Sequence, residues 1–138
     1  MADLDQGSLV TLRMGHLGMI ESVISRLSGH SATVKNFSLT VYVGVLALAV
    51  SETEPALLWI AALAPILFAA LDAYYLGIER SFRDFYGTVA MRPLSEATNV
   101  AMDQATPRPL SAFGSPVVWP FYLVQAIVAG VAIWKGLP

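Results

Sequence analysis

No cysteine occurs in this chain of 138 residues, so disulfides, thiolate catalysis and cysteine-ligated metal sites are excluded from the outset. Charge is scarce as well: ten acidic and eight basic residues make up 13% of the sequence, against 56% hydrophobic. That balance is too apolar for a soluble domain of this size. A net charge of −2 gives no strong general attraction to nucleic acid. Also missing are a Gly-rich phosphate loop, a zinc-binding helix motif, a Gly-x-Ser-x-Gly elbow and any pair of carboxylates inside an apolar run. His16 and His30 stand fourteen residues apart without an acidic cluster, a weak basis for a metal site. These absences argue against an enzyme, and no cofactor is implied. The N-terminus has no basic n-region and no small-residue cleavage site, so it does not read as a secretory signal. Its first apolar run is expected to remain as an anchor.

What the sequence has instead is three long apolar runs. Residues 36–51 and 117–134 carry no charge, and 56–78 carries only Asp72, near its end. Each reaches or approaches the roughly 20 residues that a helix needs to cross about 30 Å of hydrocarbon. The basic residues orient them. Arg13, Arg26 and Lys35 precede the first run, Arg80, Arg83, Arg92 and Arg108 lie between the second and third, and only Lys135 follows. Because cytoplasmic segments retain Lys and Arg, this bias of seven to one predicts a three-span, N-in, C-out arrangement. Glu52 and Glu54, in a loop without basic residues, then lie outside.

Residues 1–35 are expected to form an N-terminal cytoplasmic or interfacial segment, and 36–134 a three-span domain with a cytoplasmic connection at 79–116. The stretch 9–29 reads as an amphipathic helix before the first span. As a fourth span it would gain about 0.3–0.6 kcal/mol from each of some nine apolar residues, whereas Arg13, Glu21 and Arg26 would each cost roughly 2.5–3.5 kcal/mol. The costs win. Gly15, Gly18, Ser22, Ser25 and Gly29 recur every three or four residues and form a stripe of small side chains suited to close helix contact. Alternatively, the helix breaks at Gly15 or Gly18. From Pro55 the second helix should run to about Tyr86, kinked at Pro65 and long enough to project into the cytoplasm. At most one short helix is expected around 94–104. Pro116 and Pro120 suit the start of the third span, with Trp119, Tyr122, Trp134 and Lys135 as interfacial anchors. The fold class is therefore all-α and membrane-integral, with a homo-oligomer expected.

Chemistry concentrates in residues 71–86. Asp72, Tyr75, Glu79 and Tyr86 fall along one helical face, and Glu79–Arg83 and Arg80–Asp84 are i, i+4 pairs. Asp72 enters the span, where an ionisable group is by default a functional candidate. The plainer reading is a tether to a neighbouring Tyr, to Lys35 or to an Arg. Ser38, Thr40, Gly44 and Gln125 suit either a pore lining or interhelical hydrogen bonds, the second being commoner. Three spans cannot enclose an aqueous path alone, so a channel needs a closed ring of protomers. In such a ring Glu52 and Glu54 form an outer vestibule. Asp72, Tyr75, Glu79 and Tyr86 are the candidates for gating or a subunit interface. Arg80, Arg83, Arg92 and Arg108 are the candidate sensor for nucleotide or oligonucleotide phosphates, although positive-inside retention alone would account for them.

The stretch from Ile20 through Arg26, with Val34–Lys35 and Thr40 after it, resembles the opening of small bacterial inner-membrane proteins. So do the segment from Leu71 and Asp72 through Glu79, Arg80, Arg83 and Tyr86, and the late Ala101, Asp103, Ser115, Phe121 and Tyr122. Across about residues 17–130 the chain is similar to SLATT-type membrane effectors of antiphage systems, a group that includes the Hailong effector. Such effectors accompany nucleotidyltransferase-like enzymes and are usually described with two spans, whereas this sequence carries a third run. The resemblance implies a homo-oligomeric pore controlled by a nucleotide signal from a partner nucleotidyltransferase. A non-conducting anchor that recruits a cytoplasmic partner through 9–30 and 79–110 is the competing expectation. A small transporter is weaker, because no central charge or inverted repeat is present.

Overall fold

The computed structural model describes residues 5–52, 55–102, 108 and 112–135. Helices are their regular secondary structure, with no strand among them. Three helices dominate: α1 (Gln6–Glu52), α2 (Pro55–Met91) and α3 (Trp119–Trp134), with a short 3-10 turn at Leu94–Glu96 between the last two. At 1.5 Å per residue they measure about 70, 55 and 24 Å. α1 and α2 are both long and apolar enough to cross a membrane, and α3 is a shorter apolar helix.

The expected pre-span helix and first span are one uninterrupted helix. No break occurs at Gly15, Gly18, Gly29 or Lys35. The reason lies in the face that α1 buries. Arg13, His16 and Ile20 are buried, Ile24, Leu27 and Ser31 are half-buried, and Val34, Ser38, Tyr42, Val45 and Ala49 continue the line. Steps of three and four average the 3.6 residues of a straight α-helix, so one face stays against α2 along its whole length. α2 likewise continues past Tyr86 to Met91. Of the expected short helix around 94–104, only the 3-10 turn is seen, and 103–104 lie outside the described residues.

α1 and α2 form an antiparallel hairpin. Tyr42 packs with Ala61 near the connection, and Ile20 with Phe85 and Val89 near the opposite, open end. α3 lies mainly along α2, antiparallel to it, with Ala129 beside Ala61 and with Val118 and Tyr122 beside Ala69 and Ala73. The alanines let the three backbones approach closely. Pro120 falls in the first turn of α3, where its missing N–H costs nothing, and Pro65 lies buried inside α2.

The half of the molecule near the connection wears an apolar belt. Phe37, Leu39, Val43, Leu48 and Val50 of α1 are exposed, as are Trp59, Ile60, Leu63, Ile66 and Leu67 of α2 and Leu123, Val124, Ile127 and Val131 of α3. Large apolar side chains face outward on all three helices, the kind of surface that meets lipid or another protein. The belt ends near Lys35 on α1 and Asp72 on α2. Beyond it the hairpin extends about 33 Å further, the rise of the 22 residues from Lys35 to Arg13.

Candidate functional site

At the edge of the belt, α2 carries Asp72 with no exposed surface at all. Both carboxylate oxygens are engaged from α1: the Ser31 hydroxyl donates to Oδ1 and the Lys35 ammonium to Oδ2. Lys35 Nζ also donates to Ser31 Oγ at 3.1 Å. Ser31 and Lys35 are one turn apart, so a single helical face presents both. Lys35 keeps 23% of its side chain exposed whereas Asp72 keeps none, an asymmetry that matters for how the pair responds to substitution. From α3 the Tyr122 hydroxyl is buried close enough to sense the carboxylate's charge, without reaching hydrogen-bond geometry. One turn deeper, Ser38 Oγ donates to Gln125 Oε1 at 3.0 Å, tying α1 to α3. Of the alternatives open in the sequence, Asp72 takes the Lys35 tether, and Ser38 and Gln125 take the interhelical hydrogen bond.

The remaining candidates separate. Tyr75 is half-buried and stacks on the His30 ring, 5.4 Å between centroids. Glu79 is buried and holds Arg83 as expected, at 2.7 Å. The expected Arg80–Asp84 pair does not form, because Arg80 turns to Ser115 Oγ at 2.8 Å, where the chain returns before α3. Arg92 lies over the Phe85 ring with its guanidinium carbon 5.9 Å from the centroid, and Arg108 is exposed in the connection. Arg80, Arg83 and Arg92 thus meet different groups: Ser115, Glu79 and the Phe85 ring. Glu52 is exposed at the end of α1, and Glu54 lies outside the described residues. An open groove of about 570 Å³ lies between α1 and α2 beyond the belt, lined by Glu21, Ile24, Ser25, Ser28, Arg83 and Tyr86. Of the sequence candidates it takes only Arg83 and Tyr86. The small-residue stripe contributes Ser25. Among the described residues no three His, Asp or Glu side chains gather as a metal site.

Sequence reasoning missed Arg13. Counted as a charge that keeps 9–29 out of the bilayer, it is a buried cap at the open end. Its guanidinium donates to the carbonyls of Val89, Arg92 (2.9 Å) and Pro93 (2.8 Å). The last carbonyls of a helix lack intrahelical donors and carry the negative end of its dipole, and one planar five-donor group meets several of them. Beside it, His16 is buried edge-on against Phe85, 6.0 Å between centroids, and its Nε2 has no partner.

Burial, and then the nearby Arg13 and Arg92, hold the His16 imidazole below its usual pKa of 6.5. The folded open end therefore prefers neutral His16, while the unfolded chain protonates near pH 6.5. Above that pH neither state is charged and folding bears no penalty. As pH falls through about 6.5 the unfolded state binds the proton first and stability declines. Thermal unfolding of the open end is expected to start earlier at pH 5.5 than at pH 7.5, with the difference abolished by His16→Phe. An equal pH dependence in that variant would exclude His16 as its source.

Comparison with protein-family models, with curated proteins and with solved structures returns no match.

Proposed function

We propose that this chain is the protomer of a homo-oligomeric, membrane-spanning helical channel, inserted N-in and C-out in a bacterial inner membrane and gated from the cytoplasmic open end of its hairpin. The observation that carries this reading is the outward face of α1 inside the apolar belt. Asn36, Thr40, Gly44, Ala47 and Ser51 lie on it at helical spacing, all exposed, between the large apolar side chains that flank them. Thr40 and Ser51 donate their hydroxyls to the Asn36 and Leu48 carbonyls of the same helix, so the stripe is narrow and made of small side chains, a surface suited to cover by another copy of α1 or by water. A ring of protomers supplies both. The same face continues through Ala32, Gly29, Ser25, Ser22, Gly18 and Gly15 to the open end, all exposed. A Cβ added at Gly15, Gly18, Gly29 or Gly44 meets nothing within 4 Å. These glycines serve no packing within the protomer, which supports their use between protomers.

Orientation follows from the seven basic residues on the open-end side. The groove beside Arg83 and Tyr86 is where a nucleotide or short oligonucleotide bears on the hairpin in this reading, and the resemblance to SLATT-type effectors is what supports a role in antiphage defence. The second reading, a non-conducting scaffold, draws on the same groove and on exposed Met14, Met19 and Met91 near it, a surface suited to a soluble partner.

Two measurements separate the readings. Protein reconstituted in liposomes is expected to pass ions above the empty-vesicle background, with a rate altered by nucleotide. In the cysteine-free background, Gly44→Cys and Ala47→Cys are expected to cross-link copies on mild oxidation while Leu123→Cys is not. Background-level flux together with a monomer that fails to cross-link would remove the channel and favour the scaffold.

A further inference from the structure

Three polar groups in the belt's interior have no partner in the protein: the Tyr122 hydroxyl, Gln125 Nε2 and the Tyr42 hydroxyl. All three side chains are more than nine-tenths buried. They are not scattered. Lys35, Ser38 and Tyr42 line one face of α1 at steps of three and four, and Tyr122, Gln125 and Ala129 line the facing side of α3 at the same steps. The resulting seam starts at the Asp72–Lys35 pair and runs about 10 Å toward the connection, the rise of the seven residues from Lys35 to Tyr42.

The third wall is α2, and it is built of small residues. Ala73 and Ala69 there pack with Tyr122, and Ala61 packs with Tyr42 and with Ala129 of α3, so this wall offers the two hydroxyls no polar side chain. Pro65, buried in the same wall, has no N–H to give to the Ala61 carbonyl one turn earlier. At the deep end the Tyr42 hydroxyl lies near the Ala129 backbone, outside hydrogen-bond geometry. The seam thus holds unmatched donors on α1 and α3 and an acceptor on α2 released by proline.

A buried amide or hydroxyl without a partner costs on the order of 1–3 kcal/mol. Three in one seam would be a large penalty for a small bundle, and the Asp72 carboxylate beside Tyr122 is already engaged by Ser31 and Lys35. Water can meet them, since it donates and accepts, and buried water characteristically sits where several polar groups converge. Its entrance is at Lys35, which with Ser31 is partly exposed in the Asp72 cluster.

We propose that each protomer carries an internal file of ordered water between α1, α2 and α3, entered at the Lys35–Asp72 junction and ending at Tyr42, separate from any path between protomers. Such a file hydrates Asp72 from within the belt and opens a route for proton exchange between that carboxylate and the open-end side.

The absence of cysteine makes the test direct. Single variants Ser38→Cys and Gln125→Cys, with Leu39→Cys and Val124→Cys as outward controls, are reconstituted in liposomes and exposed to silver ion, which travels through water files. Thiols that escape are counted by maleimide labelling after unfolding. A hydrated thiol ionises and reacts whereas a dry one does not, so the seam positions are expected to react about tenfold faster than the controls. Ser38→Cys exchanges one oxygen for sulfur and leaves the fold intact. As a second readout on the unsubstituted protein, solid-state NMR transfer from water protons to the Gln125 side-chain amide is expected. Seam thiols as slow as the controls, with no transfer to Gln125, would overturn the water file and leave the membrane reading standing. Fast reaction at all four positions would overturn both, because the outward controls would then lie in water.

Discussion

Lys35→Met is expected to destabilise the bundle by about 3–5 kcal/mol, the cost of breaking a buried ion pair from one side. The substitution leaves the Asp72 carboxylate fully enclosed, with only the Ser31 hydroxyl still donating to it. Asp72→Asn is the milder half of the experiment. The Lys35 side chain keeps about a quarter of its surface exposed and can swing its ammonium out to solvent or headgroups, as long basic side chains do at interfaces. The double variant Lys35→Met/Asp72→Asn removes both charges and is expected to recover most of the loss. Thermal unfolding in a fixed detergent or lipid reads all three. A double variant whose loss equals the sum of the singles would mean that the pair is not coupled, against the contact seen between α1 and α2.

Arg13→Met is expected to rank second, losing about 1–3 kcal/mol, because three carbonyls at the end of α2 lose a charged donor, and those of Val89 and Pro93 keep only the backbone amides of Arg92 and Glu96. The loss should be local: amide exchange in the last two turns of α2 and in the 3-10 turn should accelerate, while the belt stays protected. Arg13→Lys is not expected to restore it, because an ammonium is a single point where the guanidinium spans the carbonyls of Val89, Arg92 and Pro93 with separate nitrogens. Full rescue by lysine would show that charge near the helix terminus matters, not the forked geometry.

The contrast between these two sites explains what the sequence makes legible. The apolar runs, the pair at Glu79 and Arg83, and the prospect of Lys35 as a tether for Asp72 follow from hydrophobicity and short-range spacing. Asp72 stands alone in its run, and few cations lie at its depth. Arg13 is different. Its partners lie 76 to 80 residues away, and nothing local distinguishes a capping arginine from one that merely excludes a span. The division of α1 into a pre-span helix and a span rests on the cost of Arg13, Glu21 and Arg26 in lipid, which bears on where the bilayer ends and not on where the helix does. The buried face passes without a gap from Arg13 to Ala49 in steps of three and four. Reading the inward period alone gives one helix. The Arg80–Asp84 expectation failed for the opposite reason, since a distant residue, Ser115, competes for Arg80.

The unbroken course of α1 has a mechanical consequence. A rod of 47 residues with no proline and no gap in its buried face behaves as a lever about 70 Å long, so a tilt of some 5° at one tip displaces the other by about 6 Å. Its partner rod carries Pro65 inside the helix, one turn from the buried Ala61 and Ala69. Force applied near Arg13 or in the groove by Tyr86 is therefore not absorbed along α1. It arrives at the far half of the molecule, where the proline is the natural fulcrum.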